Sequence, residues 1–230
     1  MHFIEQPPRF FRAWFPHSTW RLPSQGETPC VYLTFDDGPI PEVTPWVLHV
    51  LDEYQIKATF FMVGDNVRKH PDTFNLVKQK GHSIGNHSFN HIQGLRSSKA
   101  SYLSNIDQAD KLIHSPLYRP PHGLMRRSQR KALLKHYNLI MYDVVTRDYD
   151  PNRTPQQAYN TVKRFVRNGS ILVFHDSLKA YKNIKGALRP SIEWLIKQNY
   201  QFRTIVPFNI TPYNKPVSHD LISPSSLHKG

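Results

Sequence analysis

Two adjacent carboxylates, Asp36 and Asp37, directly follow a short run of apolar, β-branched and aromatic residues. The run at 30–35 is typical of a buried strand, and Gly38 and Pro39 end it. Two negative charges this close repel each other and shift each other's pKa, so the fold must supply compensating charge. A divalent cation and an arginine would do so. A solvated acidic turn is the simpler alternative, because Asp-Gly is a common turn dipeptide.

A histidine pair, His87 and His91, offers two ligands for such a cation. At this i, i+4 spacing on a helical turn, both imidazoles would face the same way. With Asp37 as a third ligand, the set leaves positions open for water, as in a catalytic zinc site. The pair alone is a weak signal in a chain with 13 histidines. Arg119 would neutralise Asp36, and that carboxylate would stay free to act as a base.

Strands and helices alternate about seven times along the chain, which predicts a parallel sheet with helical crossovers. Beyond 31–35, strands are predicted at 58–63, 82–85, 139–144, 170–174 and 202–206, and helices at 41–54, 71–80, 98–113, 128–136, 154–166 and 187–198. Thr44 is expected to cap the first helix, with Pro45 in its first turn. Each candidate chemical residue follows a strand, which favours the top of an α/β barrel. A doubly wound open sheet is the alternative.

Composition limits the class of protein. The 230 residues suit one large domain or two small ones, and 39% are hydrophobic, enough for a core. No run reaches the roughly 18 apolar residues of a membrane span, and residues 1–24 lack the apolar segment of a signal peptide. We therefore expect a cytoplasmic protein by default. The single cysteine, Cys30, excludes an internal disulfide and a cysteine-rich zinc site, so histidines and carboxylates must hold any metal.

The formal charge of +13 allows binding to nucleic acid or to another anionic polymer, or only solubility. The basic residues are spread along the chain, with one cluster at 126–131, and no recognised nucleic-acid motif accompanies them. We interpret the charge as a solvated surface, with contact to an anionic polymer as the alternative. A nucleic-acid partner is not expected.

Four separated motifs resemble those of the polysaccharide deacetylases, which are carbohydrate esterase family 4 with the NodB homology domain. The motifs lie at 34–39, 87–91, 119–123 and 172–175, in the family's order and spacing. The resemblance covers about residues 30–206 and implies an α/β fold, a distorted (β/α) barrel with about seven parallel strands. Residues 1–29 then form an irregular segment that packs on this catalytic domain, and 207–230 form a Pro/Ser-rich tail.

The resemblance also implies a reaction and the residues that perform it. The family removes acetyl groups from N-acetylglucosamine polymers, and some members de-O-acetylate xylan. One divalent metal would be bound by Asp37, His87 and His91; zinc is the first choice, although cobalt and nickel accept the same ligands. The catalytic residues would be Asp36 as general base, Arg119 as the residue that orients it, and His175 as general acid.

Three further positions are assigned to the substrate. By resemblance, Leu172 lines the pocket for the acetyl methyl group. His122 follows Pro120 and Pro121, where the family usually has an aromatic residue, and its N–H is the first backbone donor after Arg119. Both prolines lack an N–H.

The fourth motif departs from the family's Asp-x-x-Asp-Trp pattern. Here it reads Val-Thr-Arg-Asp-Tyr at 145–149, so the first acid is lost to Val145 and the tryptophan is Tyr149. Asp148 remains and is expected within one or two hydrogen bonds of His175 or Arg119. We expect Tyr149 to border the substrate groove, so the departure affects substrate preference more than the reaction.

Two classes of function therefore compete. The first is a metal-dependent deacetylase, a monomer that acts on an N-acetylated glycan such as peptidoglycan or a chitin oligomer. The second is a catalytically silent carbohydrate-binding barrel, which would retain glycan but contain no metal and release no acetate. A basic polymer binder, with steeply salt-dependent retention of DNA, ranks third.

Overall fold

The computed structural model describes residues 5–208, which are built around one parallel sheet that curls into an incomplete barrel. The strands are β1 (Cys30–Asp36), β2 (Thr59–Met62), β3 (Ser83–Asn86), β4 (Leu117–Tyr118), β5 (Asn138–Leu139), β6 (Val144–Val145), β7 (Ser170–His175) and β8 (Gln201–Phe202). Their order is β5-β4-β3-β2-β1-β7-β6, and β8 pairs with the beginning of β1. All pairings of these strands are parallel. The predicted distorted barrel is confirmed.

Helices connect the strands and cover the outside of the sheet. They are α1 (Arg9–Ala13), α2 (Thr44–Glu53), α3 (Gly64–Lys69), α4 (Pro71–Gln79), α5 (Lys99–Ile113), α6 (Arg127–Leu133), α7 (Pro155–Phe165) and α8 (Tyr181–Lys197). Two predicted helix caps are present. The Ser98 side chain caps α5, and Thr154 with Gln157 forms the predicted capping box of α7. Within residues 5–208, no helix is both long and apolar enough to cross a membrane.

Strand β1 is buried along its whole length because both of its faces are covered. Val31, Leu33 and Phe35 face the helices and belong to the largest apolar cluster. Within it, the Phe35 ring stacks between the rings of Phe60 and Phe174, with centroids 4.9 and 6.3 Å away. Burial of each such side chain contributes roughly 1.5–3 kcal/mol to folding. This packing fixes the register of β1, and so the position of the acids at its end.

The predicted strand at 139–144 is wrong in its middle. The structure has two short strands there, β5 and β6, separated by an irregular segment. The carbonyl groups of Ile140 and Met141 accept hydrogen bonds from the Arg119 side chain at 3.3 and 3.1 Å. Carbonyl groups that bind this guanidinium are not free to pair with a neighbouring strand. The apolar run at 139–144 gives no sign that the Arg119 side chain will compete for these carbonyls.

The structure differs from the sequence prediction at four other places. Helix α8 begins at Tyr181, six residues before the predicted start, and continues through Pro190, because its buried apolar face outweighs a poor helix former. Val43, rather than Thr44, occupies the N-cap of α2. Helix α3 was not predicted, and β8 is shorter than the predicted 202–206.

The N-terminal segment lies between the two edges of the sheet. Its Thr19 N–H donates to the Leu139 carbonyl of edge strand β5 at 2.8 Å, and its Glu5 carbonyl accepts the N–H of Val145 in the other edge strand, β6, also at 2.8 Å. Phe15 and Trp20 of the same segment are buried in an apolar cluster with residues of α5, α6 and β4. The segment includes the short helix α1 and so is not wholly irregular. Of the predicted tail at 207–230, residues 209–230 lie outside the described part.

A buried carboxylate anchors this segment to the barrel. Asp143 is fully buried and accepts hydrogen bonds from Arg12 Nη2 at 2.6 Å, from Arg167 Nη2 at 2.7 Å and from Ser170 Oγ at 2.7 Å. Arg12 belongs to α1, whereas Ser170 begins β7. Because each oxygen of the carboxylate is bonded, the desolvation of the charge is offset.

We predict that Asp143→Asn lowers the free energy of unfolding by about 2–3 kcal/mol, because the buried amide brings its own N–H donors against the donors of Arg12, Arg167 and Ser170 and removes the anion that pairs with the two guanidinium groups, of which Arg12 is 17% exposed. Urea denaturation measures the change. The matched control is Asp65→Asn, which removes an acid paired with Arg68 and Lys69 at the surface and should cost less than about 1 kcal/mol. Equal losses of unfolding free energy in the two variants would show that the buried Asp143 carboxylate stabilises the fold no more than a surface ion pair does.

Candidate active site

The predicted site residues converge at the carboxyl-terminal edge of the sheet. Asp36 and His175 are the last residues of β1 and β7 and occupy partnered positions in the parallel register. His87 and Arg119 directly follow β3 and β4. Parallel strands bring these four side chains to one end of the barrel, as the sequence predicts.

Arg119 and Asp36 form a buried ion pair inside the barrel. The Arg119 Nη1 donates to Asp36 Oδ1 at 2.6 Å and to Thr34 Oγ1 at 2.8 Å. The guanidinium also lies over the Phe61 ring, 4.0 Å from its centroid. With carbonyls on Nε and Nη2, Arg119 makes four hydrogen bonds and has its charge paired although it is only 2% exposed. The pair holds Asp36 in one orientation.

Asp37, His87 and His91 form the one group among residues 5–208 that meets the geometry expected of metal ligands. Their donor atoms all lie within 4.8 Å of one another. Asp37 Oδ1 is 3.3 Å from His91 Nε2 and 3.7 Å from His87 Nε2. This oxygen is buried, yet no described residue makes a well-aligned hydrogen bond to it. A buried, unpartnered carboxylate oxygen facing two imidazole nitrogens fits a divalent cation.

The protonation of His87 suits metal binding. Its Nδ1 is 2.8 Å from the Arg119 carbonyl oxygen, which can only accept, so Nδ1 carries the hydrogen and Nε2 is left with a lone pair. Burial lowers the pKa of His87 to about 4, so the imidazole is neutral at pH 7. For Asp37, burial raises the pKa, but His91, His175 and His87 outweigh it and hold the pKa well below its usual range.

The prediction that His87 and His91 lie on one helical turn is wrong, although their imidazole rings do lie together. His87 and His91 lie in a loop after β3 and not on a helical turn. Ser88 and His91 have φ angles of 67° and 58°, in the left-handed region that non-glycine residues rarely occupy. The Asn86 and Asn105 side chains fix the loop by accepting backbone N–H groups at 2.8 and 2.9 Å. Strained backbone of this kind clusters at functional sites.

His175 and Asp148 form a second buried pair. His175 Nδ1 is 2.8 Å from Asp148 Oδ1, and the His175 backbone N–H donates to Asp148 Oδ2 at 2.9 Å. The Asn183 side chain in turn donates to the Asp148 carbonyl at 2.8 Å. Burial alone lowers the pKa of His175, but the Asp148 carboxylate outweighs it and raises the pKa to about 9. The expected contact of Asp148 is therefore present, and His175 Nε2 remains available for a substrate.

Asp176 is a site residue that the sequence reasoning missed. Its Oδ1 accepts the Gly38 N–H at 3.1 Å, and its Oδ2 accepts the Thr44 hydroxyl at 2.6 Å. A Cβ at Gly38 would lie 2.1 Å from Asp176 Oδ2, so only glycine fits. Burial raises the pKa of Asp176 to about 8. The sequence did contain a signal for Asp176. Two polar residues, His175 and Asp176, follow the apolar run of β7, and the family motif accounts for His175 alone.

Leu172 does not line the site, which corrects the assignment taken from the resemblance. It is fully buried in the apolar cluster between the sheet and the helices, together with Leu33 and Phe174. Side chains alternate along a strand, so Leu172 and His175 point to opposite faces of β7. Val173, two residues before His175, lies on the same face of β7 as the imidazole.

The two residues assigned to the substrate groove both contact the site. The His122 ring packs edge-on against His91 with centroids 4.6 Å apart, and its φ angle is 60°. The Tyr149 ring packs edge-on against His175 at 4.7 Å. Each aromatic side chain therefore borders one side of the candidate site, His122 beside His91 and Tyr149 beside His175.

A comparison with protein families decides the identity of the fold. The model of the family described as polysaccharide deacetylase matches residues 24–139. The chain belongs to the polysaccharide deacetylase family. The resemblance seen in the sequence is confirmed, and with it the class of enzyme, a hydrolase of the polysaccharide deacetylase type.

Individual relatives agree with this assignment. A peptidoglycan-N-acetylglucosamine deacetylase of Bacillus cereus is 32% identical over 198 residues, which are 81% of this chain and 90% of the relative. The crystal structure of a peptidoglycan N-acetylglucosamine deacetylase in complex with a hydroxamate, 4-naphthalen-1-yl-N-oxidanyl-benzamide, superimposes with a TM-score of 0.78 at 25% identity, covering 86% of this chain and 95% of the other.

The same fold also occurs in a protein described as a pseudoenzyme. This CE4 family protein from Bacillus anthracis has a TM-score of 0.69 at 24% identity and is covered over 66% of its length by 81% of this chain. Similarity at that level concerns the fold alone. The argument for catalysis by this chain must therefore come from its own side chains.

We predict that Asp176 acts by anchoring Gly38, and through it Asp37. Asp176→Asn keeps an acceptor oxygen for the Gly38 N–H and should retain bound metal and stability. Asp176→Ala leaves that buried N–H unpaired, which costs about 1–3 kcal/mol, and should lose metal. Elemental analysis and urea denaturation of both variants measure these effects. Equal metal loss in the two variants would mean that the charge of Asp176 matters and not its anchoring bond.

Proposed function

We propose that this polysaccharide deacetylase hydrolyses the N-acetyl groups of an N-acetylglucosamine-containing polysaccharide, peptidoglycan-like or chitin-like. The observation that carries the proposal is the pairing at the barrel end: Asp36 is held by Arg119, next to the ligand set that includes Asp37, while Asp148 supports His175. We take residues 30–206 as the catalytic domain and the monomer as the active form.

One divalent cation, zinc by first choice, would be held by Asp37, His87 and His91 and would polarise the acetyl carbonyl and acidify the attacking water. Asp36 accepts the proton of that water as the water oxygen bonds to the carbonyl carbon. Arg119 fixes the direction of the Asp36 carboxylate, so its free oxygen faces the cleft. The roles of the two adjacent acids thus differ because their neighbours differ.

His175 supplies the proton for the second half of the reaction. When the tetrahedral carbon collapses, the C–N bond breaks and the leaving nitrogen takes a proton from His175 Nε2. The Asp148 carboxylate keeps the imidazole protonated until then and, by binding Nδ1, sets its orientation. Proton uptake by Asp36 and proton release by His175 balance, and the products are acetate and a free amine.

The remaining positions serve substrate binding. The His122 N–H is the backbone donor we assign to the developing oxyanion. Val173, in place of Leu172, is the residue we assign to the acetyl methyl group. His122 and Tyr149 flank the sugar, and the loss of the acid at Val145 changes the groove beside them. These differences make the identity of the glycan the first question for experiment.

The decisive test is release of acetate from a panel of N-acetylated substrates: peptidoglycan, chitin oligomers and an O-acetylated xylan. We expect release from the first or the second, its loss after treatment with a chelator, and its recovery when zinc is added. A catalytically silent carbohydrate-binding barrel would retain the glycan and release no acetate under any of these conditions. Release from xylan alone would contradict the N-acetyl specificity.

Replacement of each of the two adjacent acids by asparagine separates their proposed roles. Asp36→Asn should abolish turnover and leave the metal bound, because the base is lost while the ligands remain. Asp37→Asn should lower the metal content, because a ligand is lost. Elemental analysis and the acetate assay are run on both variants. Equal metal loss would show that the assignment of base and ligand is wrong.

The pH profile tests the pair of Asp148 and His175. Activity needs the imidazolium, so the alkaline limb of the kcat profile follows the pKa of His175, which Asp148 raises. Asp148→Asn should lower that pKa and move the limb to lower pH. His175→Ala should reduce kcat far more than it changes KM, because leaving-group protonation stabilises only the transition state. An unmoved limb in Asp148→Asn would reject this role for Asp148.

A further inference from the structure

Helix α1 exposes large aromatic side chains on the side that faces away from the barrel. Phe11 and Phe15 pack inward, in and against the apolar cluster that the N-terminal segment shares with α5 and α6. Phe10 and Trp14 are instead 71% and 77% exposed, the highest values among the large apolar side chains of residues 5–208. Trp14 caps the helix with helical dihedral angles, so these two side chains, four positions apart, are neighbours on one face, the outer face of α1.

The charge on this outer face is positive. Arg9, the first residue of α1, is exposed beside the aromatic side chains. Residues 6–26 contain no aspartate or glutamate. Asp143, the acid to which Arg12 of α1 binds, is buried and already paired, so it does not neutralise the surface. A solvent-facing helix normally carries polar residues outward, whereas α1 combines an exposed arginine with exposed aromatic rings.

Helix α6 lies beside this segment and adds to the positive charge. The Arg130 Nη1 donates to the Pro16 carbonyl at 2.6 Å, which ties α6 to the residues directly after α1. Arg127 and Lys131, one turn apart on α6, are exposed. Residues 111–142, which include α6, also lack aspartate and glutamate. The exposed aromatic pair therefore adjoins a basic surface.

Area and charge together select the kind of partner. Two aromatic side chains exposed to this extent present roughly 300 Å² of apolar surface, well below the roughly 800 Å² per partner of a stable protein interface. A second copy of the chain, with the same formal charge of +13, would also be repelled. An anionic polymer would use the basic residues and leave the aromatic rings in water. A surface of anionic lipid uses both features, because tryptophan and phenylalanine rings insert at the headgroup level while basic side chains bind phosphate.

We propose that the outer face of α1 binds the surface of an anionic lipid membrane. The Phe10 and Trp14 rings enter the boundary between headgroups and acyl chains, roughly 5–10 Å deep, while Arg9 and the basic residues of α6 contact lipid phosphates. The ion pair of Arg12 with Asp143 holds α1 against the barrel, so the rings are positioned before binding. The contact needs no membrane-spanning helix, and it is independent of the proposed deacetylation, because none of the binding residues is assigned to that site.

The test is cosedimentation of the full chain with vesicles of phosphatidylcholine alone and of equal parts phosphatidylcholine and phosphatidylglycerol. We expect stronger binding to the second kind, weakened by added salt because exposed charges are screened. Trp14→Ala should weaken that binding roughly tenfold, the effect of one buried large apolar side chain, and Arg9→Gln roughly fivefold. The matched controls, Ile196→Ala and Lys197→Gln, remove an exposed apolar and an exposed basic residue of α8 and should leave binding unchanged.

Insertion is measured by quenching of tryptophan fluorescence with brominated phosphatidylcholine in the anionic vesicles. The quenching should be strong in the unmodified chain and largely lost in Trp14→Ala, because the other three tryptophans are buried or half-buried in the fold. Absence of binding to anionic vesicles, or equal affinities of Trp14→Ala and Ile196→Ala for them, would overturn the proposal. Retention on insoluble chitin that depends on Trp14, without binding to vesicles, would also overturn it and assign the rings to sugar. Vesicle binding without quenching would show that charge alone acts, and would reject insertion.

Discussion

The buried ion pair of Arg119 with Asp36 is the interaction on which the rest of the site depends. A guanidinium that is 2% exposed needs an anion and several hydrogen-bond acceptors to offset its loss of water. Arg119 meets this condition by binding Asp36 and Thr34 of β1 together with the carbonyls of Ile140 and Met141. Its own carbonyl orients His87. One residue thus ties three parts of the barrel to Asp36 and to a histidine of the candidate metal site, and removal of either charge would cost about 3–5 kcal/mol.

The acids of the site differ in environment because their partners differ. Asp36 faces a guanidinium, Asp148 faces the imidazole of His175, and Asp37 faces two imidazoles that leave one oxygen without a hydrogen bond. Asp176 faces a hydroxyl and a backbone N–H, and burial raises its pKa. Four carboxyl groups can therefore lie close together without like-charge repulsion dominating. This separation of environments is what the proposed roles of base, metal ligand and partner of the acid require.

The family assignment and the side-chain geometry support different parts of the argument. The relatives establish the fold and the class of enzyme, and one protein with this fold is described as a pseudoenzyme. Catalysis by this chain is instead argued from the complete set of partners around Asp36, Asp37 and His175. The fourth motif departs from the family pattern at Val145 and Tyr149 but keeps Asp148 and its contact with His175. Tyr149 packs against His175, so these departures concern the proposed substrate groove. The reaction is thus better supported than the identity of the glycan.

The sequence by itself determined the order of strands and helices and the groups at the strand ends, because apolar periodicity and turn residues act over a few positions. It also placed Asp36, Asp37, His87, His91, Arg119 and His175 at one edge, since parallel strands all end on the same side. The tertiary structure alone decided what depends on contacts distant in sequence. Arg119 interrupts the predicted strand at 139–144, Asp176 anchors Gly38, and the alternation of β7 turns Leu172 away from the site. The His87–His91 loop replaces the predicted helical turn, and the Asn105 side chain of α5 holds it by accepting the Phe89 N–H.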